Sequence, residues 1–222
     1  MNITDYYWAK SLAGGGGSGS DTEQLKELID GTITHLVIPD GVTQIGGDDY
    51  DEWGSTGFRL VGLFALETVE MGDAVTLIKS GAFRECYNLQ SIDTLNSVEE
   101  IEEFAFFQTG LESIELNSIE TIGEYAFREC NSLTSVTIGE NIVSIGAYAF
   151  YQLNLENPPE TMPHLAVTIK ATTPPELGQE AFSYENTEEM YTYIYVPAES
   201  VDTYKAAENW SDYAEYIFAI EE

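Results

Sequence analysis

The pair Ala-Phe recurs along this chain at Ala82-Phe83, Ala105-Phe106, Ala126-Phe127, Ala149-Phe150 and Ala181-Phe182, so that successive copies stand 23, 21, 23 and 32 residues apart by subtraction of their positions. A unit of that length is too short to bury its own apolar face. Neighbouring units have to stack and share one continuous core, which makes the chain a solenoid with one insertion before its last copy. Ala is small where coils pass close to each other, and the five Phe side chains are expected to fill the interior as a ladder, one per coil.

Two further phrases keep the same period. Ahead of the pair stand "VTLIKSGAF", "VEEIEEFAF", "IETIGEYAF" and "IVSIGAYAF", and after it come "LQSID", "LESIEL" and "LTSVTI". In the latter set apolar and polar positions alternate as in a half-buried strand. Each unit therefore reads as a strand, a turn, a short apolar segment and a compact or helical turn carrying Ala-Phe. The 222-residue chain, 43% apolar and 12% aromatic, has enough hydrophobic material for such a core.

These phrases resemble the BspA-like leucine-rich repeats, whose units read approximately "L-x-x-I-x-I-P-x-x-V-x-x-I-G-x-x-A-F-x-x-C-x-x". The stretch "LTSVTIGENIVSIGAYAFYQL" (133–153) matches nearly position by position, and "HLVIPDGVTQIG" (35–46) matches the first half. The resemblance implies a leucine-rich repeat solenoid, mostly β, forming a right-handed superhelix with a parallel sheet on one face and short helical turns on the other. Its expected organisation is an N-terminal docking peptide (1–13), a Gly/Ser linker (14–20), the solenoid (21–196) and a C-terminal helical cap (197–222). In the cap, Ser200 is expected to start a helix running to about Glu208. Val201, Tyr204 and Trp210 would lie over the last coil, with Tyr213, Ile217 and Ile220 closing its rim.

Charge narrows the function. Eight basic against 39 acidic residues give a formal charge of −31, spread over the length of the chain. That field repels phosphate backbones and anionic lipid, so no nucleic acid is expected as a partner. No stretch approaches the roughly eighteen apolar residues of a membrane-spanning helix, so no membrane insertion is expected either. The opening "MNITDYYWAKSLAGGGG" lacks the basic leader and apolar run of a secretory signal.

No catalytic motif emerges: there is no Gly-x-Ser-x-Gly elbow, phosphate loop, dinucleotide fingerprint or His-Glu-x-x-His. The chain reads as a non-enzyme without a cofactor. Cys86 and Cys130 occupy equivalent places two coils apart. Two steps of about 4.8 Å put their Cα atoms some 9 to 10 Å apart, too far for a disulfide, so both are expected to be buried free thiols. With only His35 and His164 available, a metal pair is not expected. The acidic, Gly-flanked loop Asp48, Asp49, Asp51 and Glu52 could hold Ca²⁺ but fits no EF-hand spacing, and is read as a solvated loop.

Recognition then falls to the surface that the coils repeat. With Leu133, Val136 and Ile138 inward, Ser135 and Thr137 point outward. Equivalent rungs add Ser113 and Glu115, Ser91 and Asp93, Thr68 and Glu70, then Thr168 and Lys170, and Tyr193 and Tyr195. Tyrosines beside small hydroxyls suit a binding face for a protein or glycan. The N-terminal segment, with Tyr6, Tyr7, Trp8 and Leu12, reads as a short helix that docks on a larger assembly, and the glycine run after it as a flexible tether. That opening is similar to those of bacteriophage virion and tail-associated proteins. Two functions are therefore in contention: a recognition or adhesion module displayed on a virion, extracellularly or at a cell surface, and a purely structural piece of such an assembly.

Overall fold

Most residues of a repeating coil must either stack on their equivalents or turn the chain, and the strands show which do which. The computed structural model describes residues 34–38, 42–46, 60–93, 95–152, 164–183 and 192–221. The docking-peptide residues Tyr6, Tyr7, Trp8 and Leu12, the linker 14–20 and the acidic loop Asp48, Asp49, Asp51 and Glu52 lie outside the described residues.

The strands are β1 (His35–Val37), β2 (Gln44–Ile45), β3 (Thr68–Glu70), β4 (Leu77–Ile78), β5 (Ser91–Asp93), β6 (Glu100–Ile101) and β7 (Ser113–Leu116). They continue as β8 (Thr121–Ile122), β9 (Ser135–Ile138), β10 (Ser144–Ile145), β11 (Leu165–Ile169), β12 (Glu176–Leu177), β13 (Thr192–Val196) and β14 (Ile217–Ala219). All pair in parallel. The odd-numbered strands line one side of the coil as β1-β3-β5 and β7-β9-β11-β13, with β14 added at the end. The Glu112 N–H donates to the Gln90 carbonyl at 3.1 Å and carries the ladder across the gap between β5 and β7. The even-numbered strands, in the order β2-β4-β6-β8-β10-β12, form a second, six-stranded sheet on another side. The short apolar segment expected ahead of each Ala-Phe is thus itself a two-residue strand. The chain has two sheet sides and one turn side.

The turn side is hydrogen-bonded between coils as well. Phe83, Phe106, Phe127 and Phe150 donate their N–H to the carbonyls of Ala105, Ala126, Ala149 and Ala181, at 2.7 to 2.8 Å. In the turns of Phe106 and Phe127 two residues take positive φ, and their N–H groups also reach the next coil. Phe104 (φ 56) and Tyr125 (φ 58) lie before the Phe, and Gln108 (φ 57) and Glu129 (φ 62) after it. A non-glycine residue in that region costs about 1–2 kcal/mol, which the inter-coil bond offsets at about 1 kcal/mol apiece.

The expected ladder forms. Phe83, Phe106, Phe127, Phe150 and Phe182 are fully buried, with centroids 5.2, 5.0, 5.0 and 5.4 Å apart and planes within 10° of parallel. The alanines beside them are equally buried. Glycine fills another close approach: a Cβ at Gly146 would lie 2.6 Å from the carbonyl carbon of Gly123, and one at Gly178 would lie 2.2 Å from the Ala147 nitrogen. The Ile-Gly of the repeat is where consecutive backbones touch.

The cap departs from expectation in detail. The helix α1 (Val201–Ala206) ends two residues before Glu208, and Ser200 stands at its N-terminus without a side-chain capping bond. A 3₁₀ segment (Trp210–Tyr216) follows, and Ile217–Ala219 then pairs with β13, so the closing segment contributes a strand where only a rim was expected. Trp210 and Tyr204 are fully buried as expected, and each offers its polar tip to a carbonyl of the last coil. Trp210 Nε1–H donates to Pro175 at 2.8 Å and Tyr204 Oη–H to Ala171 at 2.9 Å. Tyr213 and Ile217 are buried, whereas Ile220 is half-exposed.

Truncating the middle of the ladder, Phe127→Ala, is expected to lower unfolding stability by about 3–5 kcal/mol, read as a lower urea midpoint. A loss below about 1 kcal/mol is inconsistent with the stacked interior. Removing residues 198–222 exposes the ring of Phe182 and the edge of β13, and is expected to give aggregation or loss of cooperative unfolding by scattering and calorimetry.

Candidate functional site

Side-chain alternation in the odd strands sends Ile114 and Leu116, Val136 and Ile138, Val167 and Ile169, and Ile194 and Val196 into the core. Their neighbours face out. The register aligns Thr68 with Ser91, Glu70 with Asp93, Ser113 with Ser135 and Glu115 with Thr137. Twelve residues expected on the sheet face, from Thr68 to Tyr195, fall on one side of the coil, all half-buried or exposed.

One pairing is corrected. Thr137 aligns with Thr168 and Ser135 with Ala166, so the rung of β11 is Ala166 and Thr168, and Lys170 lies one residue past the end of the strand. Lys170 still belongs to the face: its Nζ–H donates to Asn117 Oδ1, 3.1 Å away across two coils. Asn117, His35 at the first rung and Phe218 at the last were not anticipated. His35 Nδ1 lies 2.6 Å from Thr68 Oγ1, and its Nε2 lies 3.9 Å from Glu70 Oε2.

The face has two halves. Towards the N-terminal end, Glu70, Asp93 and Glu115 are exposed on consecutive rungs. Like charges opposite one another are unfavourable in a sheet; His35 lies near Glu70, and the Asn117 amide donates to Glu115 at 3.5 Å. Towards the C-terminal end, Phe218 is 42% exposed and sits against Tyr193 and Tyr195 at 6.0 and 6.1 Å, with ring planes inclined by 60° and 38°.

The turn side carries a second aromatic row that sequence reading missed. Phe104, Tyr125 and Tyr148 stack at 4.8 and 5.3 Å with planes within 11° of parallel. Arg84 lies 5.4 Å from the Phe107 ring centre, and Arg128 lies 5.3 and 5.4 Å from those of Tyr125 and Tyr151. Arg84 also pairs with Glu85 at 3.0 Å. Arg128 Nε stands 3.2 Å from Glu129 Oε1, at an ion-pair distance whose geometry does not make a hydrogen bond. The repeated Arg-Glu is consumed in holding the turns, and the rings cover one another. The signal for this row was the aromatic residue two places before Phe106, Phe127 and Phe150.

The second sheet offers a shallow depression lined by Ser80, Glu100, Glu102, Glu103, Thr121 and Ser144. Glu102 accepts the Ser80 N–H at 2.8 Å, and burial together with the neighbouring Glu124 raises the Glu103 carboxyl above its usual range. Among the described residues no group of three or more His, Cys, Asp or Glu side chains is placed to hold a metal. No described helix is long and apolar enough to cross a membrane.

Both cysteines are buried and free. Each thiol donates to a carbonyl of the preceding coil at 3.0 Å, Cys86 to Leu60 and Cys130 to Phe106. Thr109 holds the intervening place, its hydroxyl 3.1 Å from the Cys130 sulfur. Burial pushes the Cys86 thiol up to about 12 and the Cys130 thiol to about 11.

Residues 61–188 match the family described as BspA type leucine rich repeat region, in six copies. Among solved structures, the pneumococcal vaccine antigen PcpA superposes with a TM-score of 0.51 at 21% identity, covering 75% of this chain and 41% of that one. A leucine-rich repeat protein of T. pallidum gives a TM-score of 0.43 at 20% identity, over 67% and 75% of the two chains. One from Bacteroides ovatus gives 0.41 at 14% identity, over 85% and 66%. The chain thus spans about two fifths of the pneumococcal antigen's length. No curated protein matches.

The thiols set an alkaline limit. Cysteines ordinarily titrate near 9.0, so above that pH the unfolded chain loses protons that the folded chain keeps. Stability is fully present below pH 9 and is expected to fall as pH rises towards 11–12. Tyr204, whose burial raises it above the usual tyrosine range, adds to the fall at the upper end. The check is the urea midpoint at a series of pH values, with Cys86→Ala/Cys130→Ala flattening the first part of the decline. At pH 8 a disulfide reagent is expected to titrate neither thiol until the chain unfolds.

Proposed function

Because this chain belongs to the BspA-type leucine-rich repeat family, we propose that it is a non-enzymatic recognition or adhesion module that binds a protein or glycan through the outward face of its odd-numbered strands. The observation that carries this reading is the in-register row from Thr68 and Glu70 to Tyr193 and Tyr195, in which polar and aromatic side chains are presented on every rung while the apolar ones are spent on the core. Tyrosine gives a large contact area for little entropy loss, and small hydroxyls beside it admit close approach. The turn side is a poorer candidate because its rings and its two arginines already occupy one another.

In this reading residues 21–196 form the displayed head, 197–222 its closing cap, 14–20 a tether and 1–13 a peptide that docks on a larger assembly. The proposed setting is an extracellular or cell surface, in keeping with a domain whose work is contact. A virion setting rests on the similarity of the first twenty residues alone. The second reading, a structural component with no ligand of its own, is favoured by the same aromatic opening, which supplies a docking element independent of the repeats.

The two readings separate on the full chain. Capture of a ligand from a protein and glycan array is expected to fall about tenfold or more when bulky charge is placed on the face by Ser113→Arg/Thr137→Arg, with circular dichroism unchanged. Retained association in that variant, together with its loss when Tyr6, Tyr7 and Trp8 are changed to Ala, is the result expected of a structural component.

A further inference from the structure

Resting on the sheet face as the recognition surface, we infer that its partner is an extended protein segment bearing Lys or Arg, lying across the strands from the carboxylates of β3, β5 and β7 to the aromatic cluster of β13 and β14. Four observations carry it.

The first is the aromatic cluster. Tyr193 and Tyr195 are inclined to Phe218 by 60° and 38°, so neither lies flat on its ring, and Phe218 is 42% exposed, while Tyr193 also meets His164 at 4.9 Å; the row on the turn side is stacked parallel instead. An open aromatic face attracts a cation through its quadrupole. This chain uses that attraction internally, since its turn-side aromatics hold Arg84 and Arg128.

The second is charge. Glu70, Asp93 and Glu115 stand exposed on three successive rungs, in a molecule of formal charge −31. Among the described residues Lys170 is the single lysine or arginine on this face, and its amine is held by Asn117 beyond the end of β11. A cationic segment relieves the repulsion between the stacked carboxylates and is steered to them at long range.

The third is continuity and length. From β3 to β14 the face crosses seven rungs without a change of side. At about 4.8 Å per step this is roughly 29 Å, the reach of about nine extended residues. Between the two ends lie small side chains, Ser113, Ser135, Ala166, Thr137 and Thr168, over which a backbone can pass.

The fourth concerns the other occupants. A second copy of this chain brings its own −31 charge to the contact, and an anionic polymer is repelled for the same reason. A neutral sugar can stack on Phe218 and donate hydroxyls to the carboxylates, but it brings no positive charge to relieve their mutual repulsion. The cationic segment is the occupant that uses both halves of the face.

The test titrates the full chain, by fluorescence anisotropy, with a labelled peptide of about nine residues alternating Lys and Ser. Its Glu-for-Lys counterpart and a neutral oligosaccharide serve as parallel probes. The lysine peptide is expected to bind, and to lose about tenfold or more in affinity between low and physiological salt. The variant E70Q/D93N/E115Q is expected to weaken it by about tenfold, and F218A by about threefold to tenfold. Removing three exposed carboxylates on the side of the second sheet, Glu100 of β6, Glu120 just before β8 and Glu176 of β12, in E100Q/E120Q/E176Q is expected to change it by less than about twofold. Equal losses in the two triple variants reduce the effect to diffuse charge and overturn the inference. Binding of the oligosaccharide that F218A abolishes, with the lysine peptide indifferent to every variant, overturns the cationic partner and leaves the recognition face standing. No response of any probe to any sheet-face variant overturns both.

Discussion

Parallel strands in register place each residue of a coil directly against its positional equivalent in the next, about 4.8 Å away. Everything else in this molecule accommodates that constraint. For apolar residues it is an advantage: five Phe rings stack nearly plane to plane, and each new coil covers the open core of the last. For charged residues it is a liability, because an identical repeat would set carboxylate on carboxylate and guanidinium on guanidinium. On the turn side the chain avoids this with a period of two coils. The place after the core Phe reads Arg84, Phe107, Arg128, Tyr151, and the next place reads Glu85, Gln108, Glu129, Gln152. Each arginine therefore meets an aromatic ring, and the buried Glu129 receives a hydrogen bond from the amide of Gln108 at 2.5 Å. The sheet face follows no such alternation. There Glu70, Asp93 and Glu115 stack as like charges, tolerable because they are exposed.

The same constraint explains how much could be read from the sequence. Burial of the Phe and Ala columns, the free thiols and the outward Ser, Thr and Tyr all follow from a period plus strand alternation, and those signals are written in residue type. Three features were not legible. The even-numbered strands are two residues long, too short to show alternation, and their pairing is created by the neighbouring coils instead of by propensity. The left-handed conformations of Phe104, Gln108, Tyr125 and Glu129 are imposed by the N–H groups reaching for the next coil, in residues whose identity gives no hint of it. The extra strand of the cap, Ile217–Ala219, arises because β13 has an unpaired edge that any nearby extended segment can satisfy. The misplaced rung at Lys170 has a simpler origin: the insertion before β11 removes the constant spacing from which the pairing was inferred.

The cap shows how an array whose energy comes from neighbours can stop. Trp210 and Tyr204 take the place of a further Phe-bearing coil, Trp210 lying 5.9 Å from Phe182 and Tyr204 packing edge-on against Trp210 at 4.9 Å. Their polar tips close carbonyls that another coil would have met, and Tyr213 Oη accepts the Phe182 N–H at 3.3 Å. Tyrosine and tryptophan suit this position because they present an apolar body to the last ring and a donor or acceptor to the exposed backbone. A purely aliphatic lid would leave those groups buried and unpaired at about 1–3 kcal/mol each.

The inter-coil hydrogen bonds on all three sides point along the axis of the stack, and this has a mechanical meaning. A pull between the two ends of the molecule loads them one coil at a time, as in opening a zipper, whereas a pull across the sheet face loads many of them together in shear. The Gly123, Gly146 and Gly178 column, where backbones touch, leaves no slack between coils to absorb displacement before those bonds begin to part. The molecule is therefore stiff against sideways load and yields stepwise to axial load, each released coil lengthening the chain while the remainder keeps its face intact.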